Sequence, residues 1–311
     1  MGKTAFLFPG QGAQAVRMGA DVYEKYSRAR DVYARADELL DFSLTDLCFN
    51  GPEEKLNSTR YSQPAILVTS LAILEVVRNE TRLGRTQISA TAGLSLGEYT
   101  ALVFSGALRF PDAVKLVYRR GQAMEKAGVA NPGSMSSIVG LSHKQVEEIV
   151  EKAKAVGRIS AANYNSPEQV VVSGEVPALE EAERLAKEAG AKLAVRLKVS
   201  GAFHSELMAP AVEELKQALE EVVFSPPQVP VVCNVTGDYL AGPEQIKQML
   251  VSQLDHPVKW CQSMERLIAD GARQFYEVGP GRVLAGLAKR IDRKASCESV
   301  NDVASIGSLT E

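Results

Sequence analysis

The chain has 311 residues, a net charge of −3, and 45% hydrophobic and 23% charged residues, which suits one large α/β domain or a large domain with a smaller companion. So small a net charge gives no reason to expect nucleic acid or an anionic membrane as partner. No stretch is long and apolar enough to span a bilayer, and no signal peptide is expected.

Thr4 to Phe8 reads as the first strand. The turn after it, Phe8-Pro9-Gly10-Gln11-Gly12-Ala13-Gln14-Ala15, mimics a dinucleotide fingerprint when written G-x-G-x-x-A. That signature needs a second strand ending in an acid about 20 residues on, against a ribose. The chain from Asp21 to Leu40 is helix-like instead, so nucleotide binding is rejected. Glycines here also let backbone approach a reacting centre, which makes the N–H of Gln11 a candidate oxyanion donor. Pro64 to Val77 is apolar nearly all round and predicts a buried helix.

Ile88 to Ala92 is the next strand, and it runs into Gly93-Leu94-Ser95-Leu96-Gly97. A G-x-S-x-G run between strand and helix describes a nucleophile elbow, a turn so tight that its flanks tolerate no side chain and the serine hydroxyl projects above the sheet edge. Glu98 to Phe104 is helical and stops at Gly106, which puts the N–H of Leu96 at a helix N-terminus, where an oxyanion is held. A glycine-rich turn with an idle serine is the plain alternative. Pro111 to Met124 carries Val114, Val117, Gly121 and Met124 at helical spacing. Arg120 falls on that apolar side and Arg119 points elsewhere. An arginine beside a buried face near a nucleophile suits a carboxylate, bound through two parallel hydrogen bonds.

After the turn cluster Asn131-Pro132-Gly133-Ser134 the texture changes. Met135 to Val139 is strand-like, Val146, Ile149, Val150 and Ala153 mark a helix, and Arg158 to Tyr164 and Gln169 to Ser173 read as two strands. A second helix follows through Leu179, Ala182 and Ala186, and Leu193, Val195, Leu197 and Val199 alternate as a half-buried strand. That order, βαββαβ, is the ferredoxin-like split βαβ. The expected fold class is therefore α/β: a large α/β-hydrolase-like domain with a parallel sheet (residues 1–128 and 202–311) and a small inserted ferredoxin-like subdomain (residues 129–201). In the large domain Val212, Leu215, Leu219 and Val222 mark a helix. Val229 to Asn234 and Gln274 to Val278 read as strands, the second meeting the turn Gly279-Pro280-Gly281.

Three histidines are available as a base. His143 opens a helix and looks solvated, and His256 stands in a polar turn before Pro257. His204 lies in the loop Ser200-Gly201-Ala202-Phe203-His204-Ser205. A serine followed late in the chain by a histidine matches an α/β nucleophile, so His204 is the candidate. Cys48, Cys233, Cys261 and Cys297 are scattered without a C-x-x-C pair and read as reduced thiols of a cytoplasmic protein, not a disulfide frame or a zinc site.

Taken together, Phe8-Pro9-Gly10-Gln11-Gly12, Gly93-Leu94-Ser95-Leu96-Gly97-Glu98-Tyr99, Arg120-Gly121, Asn163-Tyr164-Asn165-Ser166-Pro167 and Gly201-Ala202-Phe203-His204-Ser205 resemble the malonyl-CoA:acyl carrier protein transacylases of fatty acid synthesis. Asn234-Val235-Thr236, Gln253-Leu254 with Pro257-Val258, and Glu277-Val278-Gly279-Pro280-Gly281 extend the match over essentially the whole chain. The resemblance implies ping-pong transfer from malonyl-CoA to the phosphopantetheine thiol of acyl carrier protein through a malonyl ester of Ser95, with His204 as base. It implies Gln11 and Leu96 as oxyanion donors and the main-chain carbonyl of Gln253 as the group orienting the histidine. Arg120 would bind the malonate carboxylate, and Gln11, Met124, Asn163 and Phe203 would complete the substrate site. The Gly-Ala-Phe-His segment resembles malonyl-selective members. No resident cofactor or metal is expected, and a monomer is. The competing readings are a serine esterase, which expects an acid completing a triad, an idle subunit that only docks acyl carrier protein, and the acyltransferase module of a polyketide synthase.

Overall fold

In the computed structural model, which describes residues 2–310, the strand β1 (Lys3–Phe8) runs through the middle of a five-stranded sheet. Its alternate side chains enter two cores, Phe6 and Phe8 one, Ala5 and Leu7 the other. A strand buried on both faces needs helices on both sides of its sheet. After β1 come α1 (Ala20–Lys25), α2 (Ser27–Asp37), α3 (Leu44–Asn50), α4 (Glu53–Asn57) and α5 (Thr59–Glu80). As its all-round apolar sequence predicts, α5 is buried on nearly every side and packs against α2 and the later α7 (Phe110–Ala130). Between them lie β2 (Ile88–Gly93), parallel to β1 with Phe8 opposite Gly93, and α6 (Gly97–Phe104).

A second sheet follows. Its elements are β3 (Ser134–Val139), α8 (His143–Ala153), β4 (Ile159–Ser166), β5 (Gln169–Gly174), α9 (Val176–Glu188) and β6 (Leu193–Arg196). The four strands are antiparallel in the order β4-β5-β3-β6, the ferredoxin-like arrangement, around a core of their own that includes Ile138, Val146, Val170, Val172 and Leu179. The chain returns through α10 (Ala209–Glu220), β7 (Val231–Val232), α11 (Pro243–Ser252), α12 (Trp260–Ala269), β8 (Ala272–Val278), α13 (Val283–Ile291), β9 (Ser296–Val300) and α14 (Val303–Gly307). All five strands of the large sheet are parallel, in the order β7-β2-β1-β8-β9. The carboxyl ends of β1 and β2 are thus neighbours, and in open α/β sheets ligands bind just beyond such ends.

Two contacts tie the sheets together. Val258 bridges β4, donating its N–H to the Ala162 carbonyl at 2.8 Å and accepting that of Tyr164 at 2.9 Å. Arg290 of α13 donates to the side chain of Gln169 at 2.6 Å.

Three sequence expectations need correction. The strand expected over Val229 to Asn234 shrinks to the two residues of β7, an edge strand preceded by Pro230, which has no N–H to give. The last strand of the small sheet is not half-buried through its apolar residues: Leu193 and Val195 are 49% and 44% exposed. The register aims Ala194 at the helices, and β6 is an edge. His143 is not solvated but half-buried, bound through Nε2 to the Ser166 carbonyl at 2.8 Å and packed edge-on against Tyr164. Asp255 is half-buried against His256 at 2.6 Å.

Candidate active site

Ser95 sits between the end of β2 and the start of α6 with φ of 50°, the left-handed conformation that side-chain-bearing residues adopt rarely. Its flanking glycines are obligatory by space alone. A Cβ on Gly93 would lie 1.9 Å from the carbonyl carbon of Gly97, and one on Gly97 would lie 2.1 Å from the Phe8 oxygen. Strain of this kind persists only where surrounding bonds hold it. Here Asn234, just past β7, accepts the Ser95 N–H at 2.6 Å and donates its own amide to the Gly93 carbonyl at 2.7 Å.

His204 also has a left-handed backbone, with φ of 58°. Its Nδ1 lies 2.6 Å from the main-chain oxygen of Gln253. A carbonyl can only accept, so Nδ1 carries the proton and Nε2 presents a lone pair. That lone pair faces the Ser95 hydroxyl at 2.9 Å. Burial, and then the nearby Arg120 charge, push the imidazole down to about 4, with the Gln253 hydrogen bond working the other way. At neutral pH the ring is therefore an uncharged base.

Arg120 comes from the apolar side of α7 and is 1% exposed. One Nη donates to Gln63 of α5 at 2.7 Å, and the other to Gln253 Oε1 at 2.9 Å and to Ser95 Oγ at 3.2 Å. The guanidinium lies against the Tyr99 ring, and its Nε has no hydrogen-bond partner among the described residues. Its near partners are neutral amides, a hydroxyl and a ring. A buried cation held that way has no direct ion-pair partner among the described residues, the buried Glu98 carboxyl acting on it only through space. Arg119, by contrast, pairs with Glu221 at the surface.

The turn after β1 packs directly on the elbow. Leu94 donates its N–H to the Phe8 carbonyl at 3.1 Å, and a Cβ on Gly10 would lie 2.3 Å from the Leu94 oxygen. Gln11 follows Gly10 in that turn and its side chain donates to Thr59 at 3.4 Å, and Leu96 is the buried N-cap residue of α6. Met124 is buried behind Arg120, its sulfur accepting from Gln63 at 3.2 Å. Phe203 is buried beside Gly201. Asn163 lies in β4 at the bridge to Val258, and its side chain forms no hydrogen bond with Ser95, His204 or Arg120 among the described residues.

Sequence reasoning missed four contributors. Asn234 holds the elbow and Gln63 holds Arg120. The side chain of Gln253 links Arg120 to the main chain of Ser95, to which its Nε2 donates at 3.1 Å. Glu98 is fully buried, and its Oε2 accepts from Gln253 Nε2 at 2.7 Å and from the Asn234 N–H at 3.1 Å. Gln63 did leave a signal: an amide within an otherwise apolar helical run is costly to bury without a polar partner.

A sequence model of the acyl transferase domain family matches residues 5–311. The chain is 44% identical over 307 residues to a malonyl CoA-acyl carrier protein transacylase of Bacillus subtilis, covering 98% of this chain and 96% of that one. Among solved structures, an acyl carrier protein S-malonyltransferase of Vibrio cholerae superposes with a TM-score of 0.94 at 43% identity, over 99% of this chain and 100% of that one. A malonyl-transacylase solved in complex with its type II polyketide acyl carrier protein superposes equally well, with a TM-score of 0.94 at 40% identity, covering 99% and 98% of the two chains.

Proposed function

The chain belongs to the acyl transferase domain family, and we propose that its Ser95–His204 pair carries a malonyl group between two thiols. It is an acyltransferase that moves malonyl from malonyl-CoA to acyl carrier protein. In this reading Ser95 Oγ gives its proton to His204 Nε2 and attacks the thioester carbonyl. The N–H groups of Gln11 and Leu96 hold the oxyanion. Collapse breaks the C–S bond, and the CoA sulfur leaves with the proton from the imidazolium. The phosphopantetheine thiol of acyl carrier protein then gives its proton to His204 and attacks the serine ester; the C–Oγ bond breaks, Oγ takes that proton back from the imidazolium, and Ser95 is restored as the malonyl thioester leaves.

The observation that carries this reading is that one hydroxyl lies within reach of both a neutral buried imidazole (2.9 Å) and a buried arginine without a direct ion-pair partner (3.2 Å). A malonyl ester on Ser95 supplies such a partner, and an acetyl ester leaves the cation as it was. An esterase has no use for such an arginine and would place an acid on His204 Nδ1, where a carbonyl lies. The reading needs no group from a second chain, and we take the catalyst to be a monomer. The reading calls on no resident cofactor, and it assigns the enzyme to fatty acid chain elongation in the cytoplasm. Among the described residues no helix is long and apolar enough to cross a membrane.

Intact-protein mass measurement tests it. Mixing with malonyl-CoA should add one malonyl group, and Ser95→Ala should abolish the addition. Arg120→Ala should slow malonylation by about a hundredfold, from roughly 3 kcal/mol of lost charge-assisted hydrogen bonding, and acetylation much less. An adduct on another residue, or equal losses for both acyl groups, would contradict the assignment.

A further inference from the structure

Glu98 lies in the first turn of α6, three residues past the nucleophile, 1% exposed and without a part in the transfer steps. Its Oε2 accepts the Asn234 N–H at 3.1 Å and a Gln253 Nε2 hydrogen at 2.7 Å, while its Oε1 has no hydrogen-bond partner among the described residues. A carboxylate half satisfied and fully buried is a costly choice, and an apolar side chain would pack there at less cost. What it does there follows from Gln253.

The two ends of a glutamine amide have nearly the same shape, and rotation about its last torsion exchanges them. Two accepting atoms remove the choice, the Ser95 carbonyl and Glu98 Oε2, which accepts whether or not the unpartnered Oε1 carries a proton. Facing Glu98 and the Ser95 carbonyl, the amide must present its NH2 group, so its oxygen is turned to Arg120 at 2.9 Å. With the amide reversed, its N–H would oppose a guanidinium N–H, two donors face to face. The same residue carries the carbonyl that takes the His204 Nδ1 proton. Asn234, whose main-chain N–H is the other donor to Glu98, binds the elbow through its side chain.

We propose that Glu98 is a positioning residue for malonyl transfer: by accepting the Gln253 side-chain N–H it fixes the amide that aligns Arg120 and steadies the residue that orients His204. This rests on the malonyl-transfer reading above.

A double-mutant cycle in the full-length chain tests it, read by the single-turnover rate of Ser95 malonylation from malonyl-CoA. Glu98→Met has similar length and no oxygen acceptor, and it should slow malonylation by about 10- to 100-fold, the loss expected when a reacting geometry is misplaced. Gln253→Met should slow it comparably, and adding Glu98→Met to Gln253→Met should cost little more, because the two side chains act as one unit. Glu98→Gln keeps an amide oxygen to accept both bonds and should recover most of the rate. Losses that multiply in full, or a Glu98→Gln rate as low as that of Glu98→Met, overturn the proposal. Should Glu98→Met fail to fold, Gln253→Met decides alone, and a wild-type rate there also overturns it. A wild-type chain that takes no malonyl group at Ser95 defeats the functional reading and this one together. Malonylation with a multiplicative cycle defeats this one only.

Discussion

Because burial and the Arg120 charge hold the His204 imidazole near 4, against 6.5 for an ordinary histidine, the base is ready well into the acid range. The value of kcat/KM reports the free enzyme. It should therefore stay level as pH falls through 6.5 and decline only towards pH 4, and a midpoint at 6.5 in a stopped-flow acylation profile would contradict the geometry. In the proposed mechanism the same histidine works without an acid. Thiolates leave with less help from a proton than the amine released by a protease, so a carbonyl on Nδ1 suffices. Glu206→Gln and Asp255→Asn should then cost far less than the ~10⁴-fold seen when a triad acid is replaced. Ser95, His204 and Arg120, which the fold brings together, could be picked as candidates from the sequence because each carries a local signature. One is a turn only glycine can flank, one is a histidine late in the chain with two weaker rivals, and one is a cation on the apolar side of a helix.

The elbow works as an element because β1 and β2 end side by side and their two turns share space. Gly97→Ala would drive a Cβ against the Phe8 carbonyl oxygen at 2.1 Å, backbone that cannot give way. It should destabilise the protein by about 1–3 kcal/mol or more and remove acylation. Gly286→Ala is the control: that glycine lies within α13 and a Cβ there meets nothing within 4 Å, so helix propensity should raise stability by roughly 0.5–1 kcal/mol. Denaturant melts of the two variants that move in the same direction would refute this reading of the turn. The elements misread from sequence were edge strands. Periodicity reports that one face of a strand differs from the other, but which face is covered depends on the register with a neighbour, and β6 and β7 each have a neighbour on one side only.

Across the whole molecule, the site is held at some expense to stability. Burial pushes Glu98 up to about 7 from 4.5, opposed by its two hydrogen bonds and by Arg120, the cation facing it from α7; Cys233, beside Asn234, stays a neutral thiol at about 12. A carboxyl raised in this way favours the fold in its protonated form. Its contribution is full below pH 4.5 and is lost as pH rises through 7. Glu98→Gln does not titrate, so its stability relative to wild type should rise between pH 4.5 and 7 and level off above. Melts at pH 5 and pH 8 that show no gain at the higher pH would sink the idea. Sequence alone determined the parallel α/β class, the βαββαβ order of the second sheet, and the residues whose chemistry is written in their immediate neighbours, because helical period, strand alternation and glycine turns act over a few positions. Only the tertiary structure decided what surrounds them. Gln253 meets Glu98 across 155 positions and Arg120 across 133, and Asn234 meets Ser95 across 139. A hydrogen bond between side chains so far apart leaves no local pattern, because it depends on where the parallel sheet and its helices bring the ends of separate segments together.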